Sequence, residues 1–203
     1  MKPLKYLALL TSTLPFFLSA DSPITSTDFY KAYTDIPMVR KADSAGVMDQ
    51  EFAEYLCDPK NPIDCKAAVI NALSWSIDGK HNAEIFTYYL ALKNRKTVTD
   101  LRMDDLAPDQ LLCLGYLTVL DDYFNPAQAL PYLEKASDRL PNSYTVAIIY
   151  ALAQAQKLMD SSWCQAWKVT EKVFENKKLK LDMRKKARDI IFDYMVLYRE
   201  ECE

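Results

Sequence analysis

The sequence predicts an all-α fold, and three observations carry that prediction. Glycine is scarce: Gly46, Gly79 and Gly115 are the only three in 203 residues, and each fits a turn or a close helix contact. Apolar residues recur at steps of three and four along most of the chain, the period of helices with one buried face. Half of the residues are apolar, enough for one domain with a real core and too many for a disordered chain.

The chain begins with Lys2 and Lys5 ahead of an apolar run at residues 6–18, followed by Leu18-Ser19-Ala20 and a polar stretch. That order is a secretory signal peptide pattern, so residues 1–20 are expected to be removed and residues 21–203 to form one domain in the periplasm or outside the cell. The run is shorter than the ~20 residues needed to span a bilayer, and Pro15 interrupts it. No cysteine follows the cleavage site and no Asn-x-Ser/Thr sequon occurs, which argues against a lipid anchor and favours a bacterial periplasm. Removing two lysines leaves 23 basic (25 − 2) against 28 acidic residues, a net charge of −5, which does not suit a nucleic-acid partner.

Residues 21–62 read as an irregular or helical cap, residues 63–176 as helix pairs, and residues 180–203 as a capping helix. Cys57 ends one helix and Cys65 opens the next across a proline-kinked link. The link Asp78-Gly79-Lys80-His81-Asn82 separates two further helices. Leu111, Leu114 and Leu117 mark the stripe of another helix, followed by a turn at residues 121–125. Asn125 and Pro126 then fit the N-cap and first residue of the next helix. In that helix Ala129, Leu133, Ala136 and Leu140 form a narrow apolar stripe, which Pro141 ends. The last helix, residues 182–201, carries Met183, Ala187, Ile190, Ile191, Tyr194 and Leu197 on its apolar side.

The unit over residues 114–144 resembles the tetratricopeptide family and its Sel-like relatives. Leu114 and Gly115 match the Leu-Gly pair, Ala129 and Ala136 the small positions, Leu133 the large packing position and Pro141 the closing proline. The turn is longer than the tetratricopeptide standard and shorter than the Sel-like one, and Thr118 stands where an aromatic is usual. Degenerate companions are proposed at residues 67–94 around Ala83 and at residues 144–176 around Ala166. The resemblance implies a short stack of antiparallel helix pairs that binds a protein. In this family the first helix of each unit lines a concave groove, which points to Trp75, Tyr116 and Gln156 as binding residues.

Export places the five cysteines where disulfides persist. The expected pairs are Cys57–Cys65, across the kinked link, and Cys164–Cys202, across the ends of an antiparallel hairpin. Cys113 is left as a buried small hydrophobe. A zinc site at Cys57 and Cys65 is not favoured, because the spacing is wide and His81 is the only histidine. His81 reads as a solvated turn residue. The acid pairs Asp104–Asp105 and Asp121–Asp122 read as caps and solvated turn residues. No catalytic motif, metal site or cofactor is expected.

One strong charge run remains, Lys177, Lys178, Lys180, Arg184, Lys185, Lys186 and Arg188. It is expected to be a solvated face, with Lys185 and Lys186 as the docking residues if an acidic protein binds there; contact with a membrane surface is the less favoured use. The function expected is therefore an exported, non-catalytic protein-binding module. Two narrower roles compete: an immunity protein or inhibitor that neutralises a periplasmic effector or hydrolase, and an assembly factor of an envelope or surface-appendage system.

Overall fold

The computed structural model describes residues 22–202, so the expected signal segment lies outside the described residues. Among those residues the fold is all-helical, with no strand. The α-helices are α1 (Pro37–Ala45), α2 (Gln50–Cys57), α3 (Ile63–Leu73), α4 (Asn82–Lys93), α5 (Pro108–Asp121), α6 (Leu130–Arg139), α7 (Tyr144–Leu158), α8 (Trp163–Phe174) and α9 (Lys185–Met195). Short 3-10 turns occur at Phe29–Tyr33, Met103–Asp105, Pro126–Gln128 and Val196–Cys202.

The helix ends follow local chemistry. Asp49, Ser143 and Ser162 each accept a backbone N–H two or three residues into the helix that follows, starting α2, α7 and α8. Pro37 and Pro108 open α1 and α5, where a missing N–H costs nothing. Gly46 closes α1 in the left-handed region at φ 63°, donating its N–H to Ala42 O. The helix expected from Pro126 starts later, at Leu130. Pro131 also lacks an N–H, so it must lie in the first turn, and residues 126–128 are left as a 3-10 turn.

Three helices form the centre. In α5 every residue from Gln110 to Asp121 except Thr118 is buried, and α3 and α7 are buried almost as fully. A helix apolar on all sides must be covered on all sides. These three lie against one another, while α6 packs on α5 and α7, and α8 packs on α7. The α5–α6 pair is the unit legible in the sequence, and its closeness depends on Gly115: a Cβ there would sit 2.7 Å from Leu133 Cγ and 3.1 Å from Tyr132 Cβ.

The expected pair at residues 67–94 is not formed. α3 ends at Leu73, and Ser74 after it, at φ 61°, turns the chain away, so α3 packs mainly on α1, the Phe29–Tyr33 turn and α5, while α4 packs on α5 and α2. At the other end, the expected helix 182–201 is shorter. α9 stops at Met195 and tightens into the 3-10 turn at Val196–Cys202, which turns Tyr198 inward and leaves Leu197 exposed. A disulfide joins Cys164, at the start of α8, to Cys202. It fastens this terminal turn to the stack.

Candidate functional site

The face of α3, α5 and α7 where the repeat resemblance places a groove is occupied by the chain itself. Residues 22–36 run across it. Gln156 of α7 accepts from Ser22 Oγ, and Ile24 N approaches the same oxygen at 3.4 Å. Asn71 of α3 accepts from Tyr30 N at 2.8 Å and donates to Thr27 O at 3.2 Å and to Tyr116 Oη of α5 at 3.0 Å. Phe29 stacks on Tyr116 with ring centroids 6.4 Å apart. Ile24, Phe29 and Tyr33 are completely buried. Arg184 closes the far end: its guanidinium binds Asp35 and Ala32 O and lies 4.5 Å over the Tyr33 ring, while its N–H donates to Tyr33 Oη.

This arrangement relocates the binding residues expected from the sequence. Tyr116 is fully buried, and burial pushes its phenol far above the usual range; Tyr116 and Gln156 contact the N-terminal segment. Trp75 is not on the α3 face at all. It stands beyond the Ser74 turn, half-buried, with its ring edge-on to Tyr123 at 5.0 Å. Lys185 and Lys186 are exposed, with Lys185 paired to Asp189 at 2.8 Å. Within the basic run Arg184 is spent on the N-terminal clamp, and Arg188 lies 5.7 Å over the Tyr144 ring.

The cysteines divide in the same way. Cys164 and Cys202 are bonded as expected, with Cα atoms 4.7 Å apart, but Cys57 and Cys65 remain separate buried thiols. They face different neighbours. Cys57 turns to α5, where Gln110 Nε2 lies 3.7 Å from its sulfur, and burial pushes its thiol up to about 11. Cys65 lies within electrostatic reach of Asp64, Arg184 and Asp35, and burial pushes it to about 12. Cys113 is fully buried, its thiol pushed up by desolvation.

Exposed large apolar side chains occur at several places, among them Ile77, Phe124, Leu181 and Leu197, and three of them lie on α4. Phe86, Leu90 and Ala91 face the core, but a second stripe at Ile85, Tyr88 and Leu92 faces outward, 37%, 54% and 77% exposed. α2 lies beside α4 in the same direction: Met48 N donates to Asn82 Oδ1 at 2.8 Å at one end, and Cys57 is within electrostatic reach of Lys93 at the other. Between them is an open groove of roughly 420 Å³, lined by Asp49, Gln50 and Ala53 of the α2 wall and by Ile85, Tyr88, Tyr89, Leu92 and Lys93. Sequence reasoning passed over it, although Ile85, Tyr88 and Leu92 interleaved with Phe86 and Leu90 are two apolar stripes on one short helix.

Two other polar clusters serve the fold. Asp121 Oδ2 accepts from Ala83 N at 2.7 Å, so the end of α5 caps the start of α4; burial raises its carboxyl above the usual range. Lys80 beside it donates to Gly46 O and Leu73 O, and burial lowers its ammonium. Near α7, Asp182 Oδ1 accepts from Thr145 N at 2.9 Å and joins the 178–182 segment to the stack. Among the described residues no group of three or more His, Cys, Asp or Glu side chains is placed to hold a metal ion. No described helix is long and apolar enough to cross a membrane. Compared with family models, with curated proteins and with solved structures, the chain matches none.

Proposed function

We propose that the protein is an exported, non-catalytic protein-binding module of tetratricopeptide-like build whose contact face is the α2–α4 groove. The observation that supports this reading is the outward stripe of α4, Ile85, Tyr88 and Leu92, which the described chain leaves partly to largely exposed. The filled α3–α5–α7 face supports it from the other side, because the groove usual for such repeats is closed to a partner here. Export is supported by the signal-like order of residues 1–20 and by the Cys164–Cys202 bond, which suits an oxidising compartment.

The test is capture of a partner from envelope extract by the wild type, by Leu92→Glu and by Lys186→Glu. The reading expects capture to be lost in Leu92→Glu and kept in Lys186→Glu. Capture lost only in Lys186→Glu would transfer the role to the basic run and favour a docking function in an envelope assembly. N-terminal sequencing of the exported protein tests the compartment, with Asp21 expected as the first residue.

A further inference from the structure

Where the link after α3 meets the turn after α5, a cleft of roughly 310 Å³ lies between residues 76–79 and 121–124. Two of the residues that line it are almost wholly buried yet hold polar atoms with no partner in the protein. Asp121, 9% exposed, gives Oδ2 to the cap of α4, but its Oδ1 has no hydrogen-bond partner. Tyr123, 3% exposed, is fixed by Trp75, edge-on at 5.0 Å, and by Phe124 at 4.2 Å, and its hydroxyl is equally without a partner. Buried polar atoms of native proteins are hydrogen-bonded, so the partner has to come from what fills the cleft.

The charge around these atoms selects that partner. Asp78 and Asp122 also line the cleft, both exposed, and neither makes an ion pair with any described residue. Lys80 and His81 lie within electrostatic reach of Asp121, but the Lys80 ammonium is bound to Gly46 O and Leu73 O, and His81 stands beside Glu84. Three carboxylates without a cation of their own make the cleft attractive to positive charge. A bare metal ion is a poor fit, since no three described His, Cys, Asp or Glu side chains are placed to ligate one. Ile77 and Phe124, 62% and 68% exposed in the same lining, suit an apolar stem, and an aromatic ring adds attraction for a cation.

We propose that this cleft binds a primary ammonium carried on an unbranched alkyl stem, with the ammonium donating to the free oxygens of Asp121 and Tyr123 and the stem lying along Ile77 and Phe124. An ammonium has three donors, enough for both oxygens. Asp78 and Asp122 supply the field that draws it in. Its charge also offsets the burial that raises the Asp121 carboxyl. A free amine and the lysine side chain of a partner protein share this chemistry. The site is separate from the α2–α4 groove and does not depend on it.

Amide-shift titration of the whole protein tests the proposal at about pH 7, where an alkylamine is charged. The probes are n-pentylamine, n-pentanol as its neutral match, and the capped peptide acetyl-Ala-Lys-Ala-amide. Pentylamine is expected to move the amides of residues 76–80 and 121–124 saturably, with a Kd on the order of 1–10 mM, as suits so small a ligand, and pentanol to bind at least about tenfold more weakly. Asp121→Asn places a donor where the ammonium needs an acceptor and is expected to weaken pentylamine about tenfold. Asp78→Asn with Asp122→Asn changes only exposed side chains, so the fold is kept, and is expected to weaken it about threefold to tenfold. Absence of a saturable shift up to about 100 mM amine overturns the proposal; so does equal binding of amine and alcohol, or a double variant that binds the amine as tightly as the wild type. Peptide binding at least as tight as pentylamine upholds the site and assigns it to a partner's lysine, while saturation by pentylamine alone upholds it for a free amine.

Discussion

Asn71→Leu tests whether residues 22–36 are an integral cover of the central helices. The leucine is close in volume and removes all three side-chain hydrogen bonds of Asn71, leaving Tyr30 N–H, Thr27 C=O and the Tyr116 hydroxyl without their partner inside the protein. A typical buried hydrogen bond contributes about 1 kcal/mol net, and orphaned buried groups cost more. Three give about 3 kcal/mol, from which the added apolar burial of leucine, about 1 kcal/mol, is offset. The expected loss is about 2–3 kcal/mol in urea unfolding, or a fall in Tm of about 4–12 °C for a domain of this size. Tyr116→Phe removes only one of the three partners and is expected to cost about 1 kcal/mol. Hydrogen exchange supplies the second readout: amides of residues 24–33 are expected to lose more protection in Asn71→Leu than those of α8. An Asn71→Leu variant that loses no more than Tyr116→Phe would refute the reasoning.

Further outcomes follow from the same contacts. Gly115→Ala gains about 1 kcal/mol of helix propensity but forces its methyl into Leu133 at the α5–α6 contact, where overpacking costs about 1–3 kcal/mol; calorimetry is expected to show net destabilisation, relieved in Gly115→Ala with Leu133→Ala relative to Leu133→Ala alone. Asp109→Ala leaves the Lys66 ammonium, 1% exposed, without its carboxylate, and is expected to cost about 3 kcal/mol in urea unfolding. Breaking Cys164–Cys202 by Cys202→Ser opens a closed span with a sequence separation of 38; the expected loss is up to about 4 kcal/mol by loop-closure entropy. Asp121 sets a pH dependence of known sign. Its folded carboxyl is raised by burial, so the folded state holds the proton more tightly than the unfolded one, and its contribution falls as pH rises from about 4, the unfolded carboxyl value, through the raised value. The stability of wild type minus Asp121→Asn is expected to fall across that window, and a flat difference would contradict the assignment.

The helical class, the α5–α6 pair and the Cys164–Cys202 bond were legible because each depends on residues whose spacing places them together locally or at opposite ends of one hairpin. Gly115 and Leu133 announce a close helix contact within 18 residues (133 − 115). The cover of the central face was not legible, because it joins Ser22 to Gln156 across a sequence separation of 134, and periodicity shows that a stripe is apolar without showing what lies on it. Tyr116 and Gln156, read from the sequence as facing a groove, contact residues 22–36 instead. The α3–α4 pair failed at one backbone position: a serine at φ 61° gives no sign of itself in sequence, since glycine or asparagine is the usual marker of that region. Cys57 and Cys65 failed for a related reason. Closeness in sequence does not decide which way two helix-end side chains turn.

The measurement that addresses the binding face most directly is the map of backbone amide shifts as the protein takes up a captured partner. The account predicts that the changes gather at residues 49–53 and 82–95, on the α2 wall and the outward stripe of α4, while Asn71, Tyr116, Gln156 and residues 22–33 stay unmoved. Changes centred on those last residues, with α4 unaffected, would mean that the covered face opens to receive a partner and would contradict it.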